Sequence, residues 1–253
     1  MLDLKKTLTC GQCFRWKETE DGTWTGVVNG RIYNLRQDNI EAIEQDVFLS
    51  EYFDMVRDYD AIDDMLAKDE VMRKAIPFGK GIRILNQDFF ETLMSFIVSQ
   101  NNNIPRIQGC IEKMCELFGE PIGEDVTGKR YYSFPTAERL ANLKSEDLAP
   151  VRLGYRDKFI IESARQYLEG NITELTDYQG VGPKVASCTE LFGRHNLDAF
   201  PIDVWVKRVM NRLYGFDEKD VKGMAKFAED NFSPYGGIAQ QYLFYYIREM
   251  KEE

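Results

Sequence analysis

A glycine pair followed by a proline constrains the fold of this chain more than any other stretch. It lies in the segment LTDYQGVGPKVASC, residues 175–188. Gly180 and Gly182 allow positive φ and a close approach of the main chain to a ligand. Pro183 suits the first turn of a helix, whose leading N–H groups have no intrahelical acceptor and can bind phosphate. The segment therefore predicts a tight hairpin leading into a helix, with Lys184 in the first turn.

Two glycine-dependent nucleotide motifs do not fit this segment. A P-loop requires G-x-x-x-x-G-K-[ST] after a strand, and the preceding YLEGNITELTDY does not read as a buried strand. The dinucleotide-binding fingerprint requires a third glycine where Val185 stands. A first-turn lysine is also mildly unfavourable, because the helix dipole favours cations at the C-terminus. Lys184 is therefore either a solvated cation or a functional group.

The remaining patterns indicate an α+β chain that is predominantly α-helical. Short aromatic or β-branched runs in the first 35 residues, separated by turn signals, predict a small N-terminal antiparallel β-sheet layer. Residues 40–75 are helical and acidic in pattern. From Asp88 onward apolar residues recur at helical steps almost to the end, with SEDLAP (145–150) included among the predicted helices.

Domain boundaries follow from these patterns. The stretch PFGKGIRILNQ is the best candidate for a junction. We expect a sheet domain with acidic helices at 1–82 and a two-part helical body at 83–253. Within that body, a helix-hairpin-helix core falls at about 151–215, followed by a C-terminal helix.

Charge limits how this chain could bind nucleic acid. The net charge is −10, but residues 36–70 alone hold twelve Asp/Glu against three Lys/Arg, a balance of −9. Residues 151–215 hold nine Lys/Arg against eight Asp/Glu. The acidity is thus concentrated in one segment, which we interpret as a solvated helical face. DNA binding would rely on backbone amides and a few placed cations rather than on a broad basic patch.

Several classes of protein are disfavoured by composition. No run of 18 apolar residues predicts a membrane span, and the N-terminus lacks the apolar core of a signal peptide. The five cysteines are interpreted as reduced thiols, and His195 is the only histidine, which excludes multi-histidine metal sites. We expect no metal in the site and a cytoplasmic protein, nucleoid-associated if prokaryotic.

The hairpin and the next helix together resemble the helix-hairpin-helix family of DNA glycosylases. Bifunctional members carry a lysine at the start of the second helix and an essential aspartate at the head of the next one. Here FPIDVWVKR supplies Asp203, 19 residues after Lys184. Asp203 follows Pro201 and precedes an amphipathic helix, so a plain N-cap is the alternative interpretation.

Further stretches resemble one branch, the 8-oxoguanine DNA glycosylases, and imply a base pocket. In CGQCFRW (10–16), Gly11 would accept the N7 hydrogen that only the oxidised base carries. In SPYGGIAQQYLF (233–244), Gln240 would read the base edge and Phe244 would stack on it. Cys188 and Phe192 follow Lys184 at four-residue steps and would form the opposite wall. Taken alone, each reads equally well as packing, and Cys10 with Cys13 lacks the second pair of a zinc site.

Two other stretches imply contacts to the base left unpaired. SQNNNIPRI (99–107) is similar to the loop with which this branch reads the unpaired base. In that loop Asn101 would fill the space left by the flipped base, and Arg106 would contact the unpaired base. LGYRDKF (153–159) resembles the L-G-Y-R-x-x-Y stretch of the same branch. The resemblance implies that Tyr155 is the wedge into the duplex and that Arg156 contacts the unpaired base. A helix cap and a surface turn are the respective alternatives. The matches run in the family's order from residue 10 to residue 244.

The resemblance implies excision of 8-oxoguanine from double-stranded DNA by a monomer. The base would be flipped out, Lys184 would attack C1′ and form a Schiff base, and Asp203 would stabilise the cationic sugar. Strand cleavage by β-elimination would make the enzyme both glycosylase and AP lyase. Gly180, Gly182 and Val185 would present backbone to phosphate. Alternatives are a glycosylase of this superfamily for another damaged base, or a non-catalytic helix-hairpin-helix DNA-binding protein.

Departures from the family concern phosphate binding and cofactors. Trp205 stands where many members have a histidine that touches phosphate, and an indole donates one hydrogen bond without charge. Related glycosylases with an iron–sulfur cluster carry four cysteines after the aspartate, whereas this chain has none beyond Cys188. We expect no cluster and no required cofactor, and leave open a structural monovalent or divalent cation at the hairpin carbonyls.

Overall fold

The computed structural model describes residues 1–125 and 128–250, and its strands form two antiparallel sheets. The first is a three-stranded meander in the order β1-β2-β3, and the second is a hairpin of β4 and β5. The strands are β1 (Trp16–Glu18), β2 (Trp24–Val28), β3 (Arg31–Leu35), β4 (Pro121–Glu124) and β5 (Arg130–Tyr132). The meander confirms the predicted N-terminal sheet, whereas the second hairpin was not predicted.

Helices make up most of the described chain. In chain order they are α1 (Leu4–Thr9), α2 (Ile40–Gln45), α3 (Val47–Tyr52), α4 (Tyr59–Leu66), α5 (Glu70–Gly79), α6 (Phe89–Ser99), α7 (Ile104–Phe118), α8 (Ala137–Ala141), α9 (Arg156–Glu169), α10 (Pro183–Gly193), α11 (Val204–Tyr214), α12 (Val221–Phe232) and α13 (Gly236–Glu249). The predicted fold class, predominantly helical with a small N-terminal sheet, is confirmed. No helix among the described residues has the length and apolarity to cross a bilayer.

Aspartate side chains begin many of these helices. Each accepts a hydrogen bond from a backbone N–H of the first turn, which satisfies an amide that has no intrahelical acceptor. The caps formed in this way are Asp3, Asp46, Asp58, Asp69, Asp88, Asp203 and Asp220. Three of them fall within the acidic segment 36–70. Part of its negative charge therefore has a structural use beyond a solvated face.

Two local predictions were wrong. The first 35 residues begin with α1 rather than a strand, because Asp3 caps a turn in which Leu4 and Leu8, four residues apart, are both buried. SEDLAP (145–150) forms turns and the start of a short 3₁₀ helix, Ala149–Val151, instead of an α-helix. Pro150 explains this, since it has no N–H to donate and disfavours the α conformation of the residue before it.

The chain divides into two compact units, each assembled from separate segments. The first unit contains Met1–Gln12, Asn39–Asn86 and the chain from Glu190 onward, and the second contains Cys13–Asp38 and Gln87–Thr189. The division falls inside α10, between Thr189 and Glu190. The domains expected from the sequence, 1–82 and 83–253, are continuous in the chain and remain a prediction.

Close packing in the first unit joins α5 to α13 at Gly79. A methyl group added to Gly79 would lie 2.3 Å from Cδ1 of Tyr242, whose side chain is almost completely buried. Gly109 lies inside α7, and a methyl group added there would meet nothing within 4 Å. Close packing therefore explains the glycine at position 79, whereas position 109 has room for a side chain.

The pair gives a matched prediction. Gly79→Ala should lower the free energy of unfolding by about 1–3 kcal/mol, because an overpacked core must shift. Gly109→Ala should raise it by up to about 1 kcal/mol, because alanine favours a helix interior. Chemical denaturation of both variants measures the two values. Changes of the same sign would contradict the packing described at Gly79.

Candidate active site

The glycine hairpin of the second unit is held by its neighbours. Gly180 has a φ of 78°, and a Cβ at this position would lie 2.3 Å from the ring of Phe159 on α9. The backbone N–H of Val181 donates to the carbonyl of Tyr178 at 3.0 Å, and α10 begins at Pro183. The element before the hairpin is a 3₁₀ turn, Leu175–Asp177. Glycine is thus required here both for its backbone conformation and for its lack of a side chain.

Lys184 lies in the first turn of α10 and is half-buried. Its Nζ is 3.5 Å from the hydroxyl of Ser99 and 5.0 Å from the centroid of the Phe96 ring. Phe96 and Ser99 both belong to α6, and the Phe96 side chain is buried. The amine therefore rests against an apolar wall with one hydroxyl in reach. Sequence reasoning did not assign a role to either contact.

Asp203 begins α11 in the first unit. Its Oδ1 accepts a hydrogen bond from the backbone N–H of Val206 at 2.8 Å, so the N-cap interpretation describes its local contact. The residue is half-buried, and a carboxylate has further lone pairs beyond the one used by the cap. Trp205 follows on the same helix with 41% of its surface exposed. The guanidinium carbon of Arg208 lies 5.1 Å from the centroid of its ring.

The residues predicted to face an unpaired base lie together in the second unit. Tyr155 is 51% exposed, and its hydroxyl accepts a hydrogen bond from Nδ2 of Asn101 at 3.3 Å. Asn101 is exposed and adopts a left-handed φ of 47°. Arg106 is also exposed, in the first turn of α7, and donates to the carbonyl of Arg152 at 3.4 Å. An exposed aromatic ring beside strained backbone has the character of a contact surface.

Arg156 differs from its neighbours because it is only 5% exposed. Its guanidinium donates to the backbone carbonyl of Leu153 at 2.9 Å, to that of Asn101 at 3.2 Å, and to that of Gln100 through both Nε and Nη2. In this structure the side chain therefore supports the loop that carries Asn101. Contact with a base would require it to give up part of this hydrogen bonding.

The remaining predicted pocket residues belong mostly to the first unit. On α13, Gln240 is buried, and its Oε1 accepts from Nε2 of Gln241 at 2.9 Å, while Phe244 is half-buried one turn later. Within the described residues the Oε1 of Gln241 is buried without a hydrogen-bond donor. Phe192 is buried near the end of α10. Cys188, also buried on α10, belongs to the second unit.

Gly11 follows α1 with a φ of 89°. The adjacent Gln12 fixes this part of the backbone, because its side chain donates to the carbonyls of Thr7 at 2.9 Å and Arg83 at 2.8 Å and accepts from the N–H of Leu85 at 2.9 Å. Sequence reasoning missed Gln12, although its buried amide is what positions the glycine peptide.

The five cysteines are buried, and none of them forms a disulfide bond. Burial raises the pKa of both Cys10 and Cys115 to about 12, so these two groups are neutral thiols at physiological pH. A thiolate is the form that binds zinc or takes part in redox exchange. Within residues 1–125 and 128–250, no cluster of three or more acidic, histidine or cysteine side chains could hold a metal ion.

Known proteins share both halves of this arrangement. The model of the N-terminal domain of 8-oxoguanine DNA glycosylase matches residues 1–93. The model of the HhH-GPD superfamily of base excision DNA repair proteins matches residues 94–234, more than half of the chain.

Solved structures match over nearly the whole length. MBOgg1, solved in complex with a low-affinity DNA ligand, is 44% identical, and the match covers 99% of this chain and 93% of that one with a TM-score of 0.90. The 8-oxoguanine glycosylase/lyase of Clostridium acetobutylicum, solved with double-stranded DNA containing cytosine opposite 8-oxoG, is 36% identical over the same shares, with a TM-score of 0.88.

A curated relative matches over a shorter range. The N-glycosylase/DNA lyase of Saccharomyces cerevisiae is 39% identical over an alignment of 194 residues that covers 67% of this chain. The match spans about half of that relative's length, 49%. Together the comparisons show that the chain belongs to the HhH-GPD superfamily of base excision DNA repair proteins, and within it to the 8-oxoguanine DNA glycosylase family.

The cap at Asp203 separates two effects of mutation. Asp203→Asn should leave the free energy of unfolding nearly unchanged, because asparagine also caps a helix well, whereas Asp203→Ala should lower it by about 1 kcal/mol. Thermal or chemical denaturation of the two variants gives the comparison. An equal loss in both would mean that the charge of Asp203, rather than its capping hydrogen bond, stabilises α11.

Proposed function

We propose that this chain removes 8-oxoguanine from duplex DNA and then cleaves the strand as an AP lyase. The single observation that carries the proposal is the position of Lys184, an amine at the head of α10 that rests against Phe96 and Ser99 just after the glycine hairpin. A solvated cation has no need of such a wall. The C. acetobutylicum relative is named as an 8-oxoguanine glycosylase/lyase, which supports the same chemistry here.

The reaction follows from the chemistry of an amine. Lys184 attacks C1′ of the lesion nucleoside as a neutral amine, the bond from C1′ to N9 of the base breaks, and the base leaves with the electron pair and takes up a proton. The nitrogen now bound to C1′ gives up one of its two protons, the bond from C1′ to O4′ breaks, O4′ takes up a proton, and the protonated Schiff base forms. Loss of a C2′ proton then expels the 3′ phosphate by β-elimination. Asp203, as a carboxylate, stabilises the positive charge that develops on the sugar.

Recognition of the base is assigned to residues that the sequence singled out. Gly11 supplies the carbonyl that accepts N7–H, a hydrogen that guanine itself lacks. Gln240 hydrogen-bonds the base edge, and Phe244 stacks on one face of the base. On the opposite face, we propose a wall formed by Cys188 and Phe192. The backbone at Gly11 suits its role because the side chain of the adjacent Gln12 is anchored by hydrogen bonds to the main chain of Thr7, Arg83 and Leu85.

The state with the lesion base flipped out also needs contacts to the duplex around the vacated position and to the base left unpaired. Tyr155 enters the duplex as the wedge, Asn101 fills the vacated space, and Arg106 with Arg156 reads the base left unpaired. The contact between Asn101 and Tyr155 supports joint use of the wedge and the filler. To contact that base, Arg156 must replace hydrogen bonds to backbone carbonyls, such as those of Gln100 and Asn101, with hydrogen bonds to the base.

Phosphate binding is assigned to the hairpin and to α11. Gly180, Gly182 and Val185 present main chain to the backbone of the damaged strand. Trp205 donates one hydrogen bond through its indole N–H, and Arg208, which lies over its ring, supplies the positive charge that the indole lacks. We propose that this aromatic–cation pair takes the place of a histidine.

No cofactor is required by this chemistry. The hairpin carbonyls of Tyr178, Gln179 and Gly180 each accept a hydrogen bond from a protein donor. Each of these carbonyls keeps a second lone pair, so a structural monovalent or divalent cation at the hairpin stays a prediction, and no step is assigned to it. No cysteine follows Asp203 in the sequence, which supports our expectation of no iron–sulfur cluster. We propose that the enzyme acts as a monomer in the compartment that holds the DNA.

The proposed activity is tested with borohydride, which reduces a Schiff base to a stable adduct. Wild-type protein incubated with duplexes containing 8-oxoguanine opposite each of the four bases should excise the lesion and become covalently trapped. Lys184→Gln should abolish trapping because an amide cannot form the Schiff base. Lys222→Gln, an exposed lysine on α12, is the control and should trap normally.

Three other outcomes decide between the alternatives. If Lys184→Gln still traps, another amine is the nucleophile. If the wild type excises an alkylated base and leaves 8-oxoguanine in place, the chain is a glycosylase of the same superfamily with a different substrate. Binding without any excision identifies a DNA-binding protein.

The role of Arg208 is tested by the salt dependence of DNA binding. Arg208→Ala should weaken binding to duplexes of any sequence and reduce the slope of log K against log salt by about 0.9, the value for one phosphate contact. Arg73→Ala, an exposed arginine on α5, serves as the control and should leave the slope unchanged. A slope that is the same in both variants would remove Arg208 from the phosphate contacts.

A further inference from the structure

We propose that Gln100 is a positioning residue that couples the phosphate-binding hairpin to the loop that faces the unpaired base. The inference rests on the proposed function, because it assigns Gln100 a part in recognising damaged DNA. Gln100 lies at the end of α6, next to Asn101, and sequence reasoning gave it no role. All of the residues that carry the argument belong to the second unit.

Gln100 makes hydrogen bonds through both its side chain and its main chain. Its Nε2 donates to the carbonyl of Gly180 at 3.0 Å and to the carbonyl of Ile97 at 3.2 Å, which uses both amide hydrogens. Its own backbone carbonyl accepts from the guanidinium of Arg156, with a distance of 2.8 Å to Nε. One residue thus links the hairpin, α6 and the first turn of α9.

On the hairpin side, this contact fixes one peptide group at both ends. The carbonyl of Gly180 accepts from Gln100, and the N–H of the same peptide, which belongs to Val181, donates to the carbonyl of Tyr178 at 3.0 Å. The orientation of this peptide sets the direction in which the chain enters α10. The first-turn amides of α10 have no intrahelical acceptor and are the groups available to a phosphate.

On the wedge side, one chain of contacts leads from Arg156 back to the same hairpin. The guanidinium of Arg156 also binds the carbonyl of Asn101, whose side chain donates to the hydroxyl of Tyr155. The ring of Tyr155 then packs edge-on against Phe159 at 5.7 Å, and Phe159 occupies the space beside Gly180. Hydrogen bonds and ring packing therefore form a closed circuit of contacts, which runs from Gly180 through Gln100, Arg156, Asn101, Tyr155 and Phe159 back to Gly180.

The circuit explains why a donor of this length is needed at position 100. A methionine has similar length but no N–H, so it would release the carbonyl of Gly180. A glutamate has nearly the same shape but only acceptor oxygens, so its carboxylate would face that carbonyl without a hydrogen bond. Gln108 on α7, in the same unit, makes no side-chain hydrogen bond with any described residue and provides a matched control for both changes.

The first test separates binding from chemistry. Binding is measured by fluorescence anisotropy with a duplex that carries a reduced abasic site, and with the same duplex undamaged. Gln100→Met and Gln100→Glu should each lose about tenfold in preference for the damaged duplex, in keeping with the loss of one part-buried hydrogen bond. The single-turnover rate of 8-oxoguanine excision at saturating protein should also fall severalfold, because the same hairpin peptide sets where α10 starts and where Lys184 lies. Gln108→Met and Gln108→Glu should change neither quantity.

The second test measures coupling with a double-mutant cycle. If Gln100 acts through the wedge, Gln100→Met in a Tyr155→Ala background should cost much less preference for the damaged duplex than it does alone. Additive losses would show that Gln100 only stabilises the fold, and Gln100 variants that bind like the Gln108 controls would also overturn the proposal. The wild-type measurements distinguish failure of the proposed function from failure of the role proposed for Gln100. Absence of excision by the wild type counts against the proposed function and not against the coupling.

Discussion

The backbone of Gly180, with its positive φ, and the ring of Phe159 packed against it form the constraint on which the rest of the site depends. No other residue takes this conformation in this space, because any Cβ would clash with the ring. The hairpin sets where α10 starts and places Lys184 in its first turn. The amine then meets Phe96 and Ser99, so a backbone constraint determines the position of the proposed nucleophile.

Charge is used in an unusual way for a protein of a DNA-repair family. The chain is acidic overall, yet many of its aspartates begin helices, where their charge satisfies backbone amides. The residues assigned to DNA are instead hairpin amides and a few cations such as Arg106 and Arg208. Affinity built in this way depends on local geometry more than on net charge, which agrees with the small balance of +1 over residues 151–215.

Sequence patterns predicted the fold class and the meander because those signals are local in the chain. They could not predict what holds the site together. The contacts from Gln100 to Gly180, from Ser99 to Lys184 and from Arg156 to the Asn101 loop join residues more than fifty positions apart. Periodicity carries no information at that range. The hairpin of β4 and β5 was missed for a different reason: its strands are only four and three residues long and carry no clear alternating pattern.

The central claim is that one particular nitrogen, Nζ of Lys184, forms the bond to the sugar of the damaged nucleotide. The most direct measurement is peptide mapping by mass spectrometry of the wild-type protein after reductive trapping on 8-oxoguanine DNA and digestion with nuclease and protease. The sugar remnant should be found on the peptide that contains GVGPKVASC, at the lysine. A remnant on the N-terminal amine or on any other lysine would contradict the account.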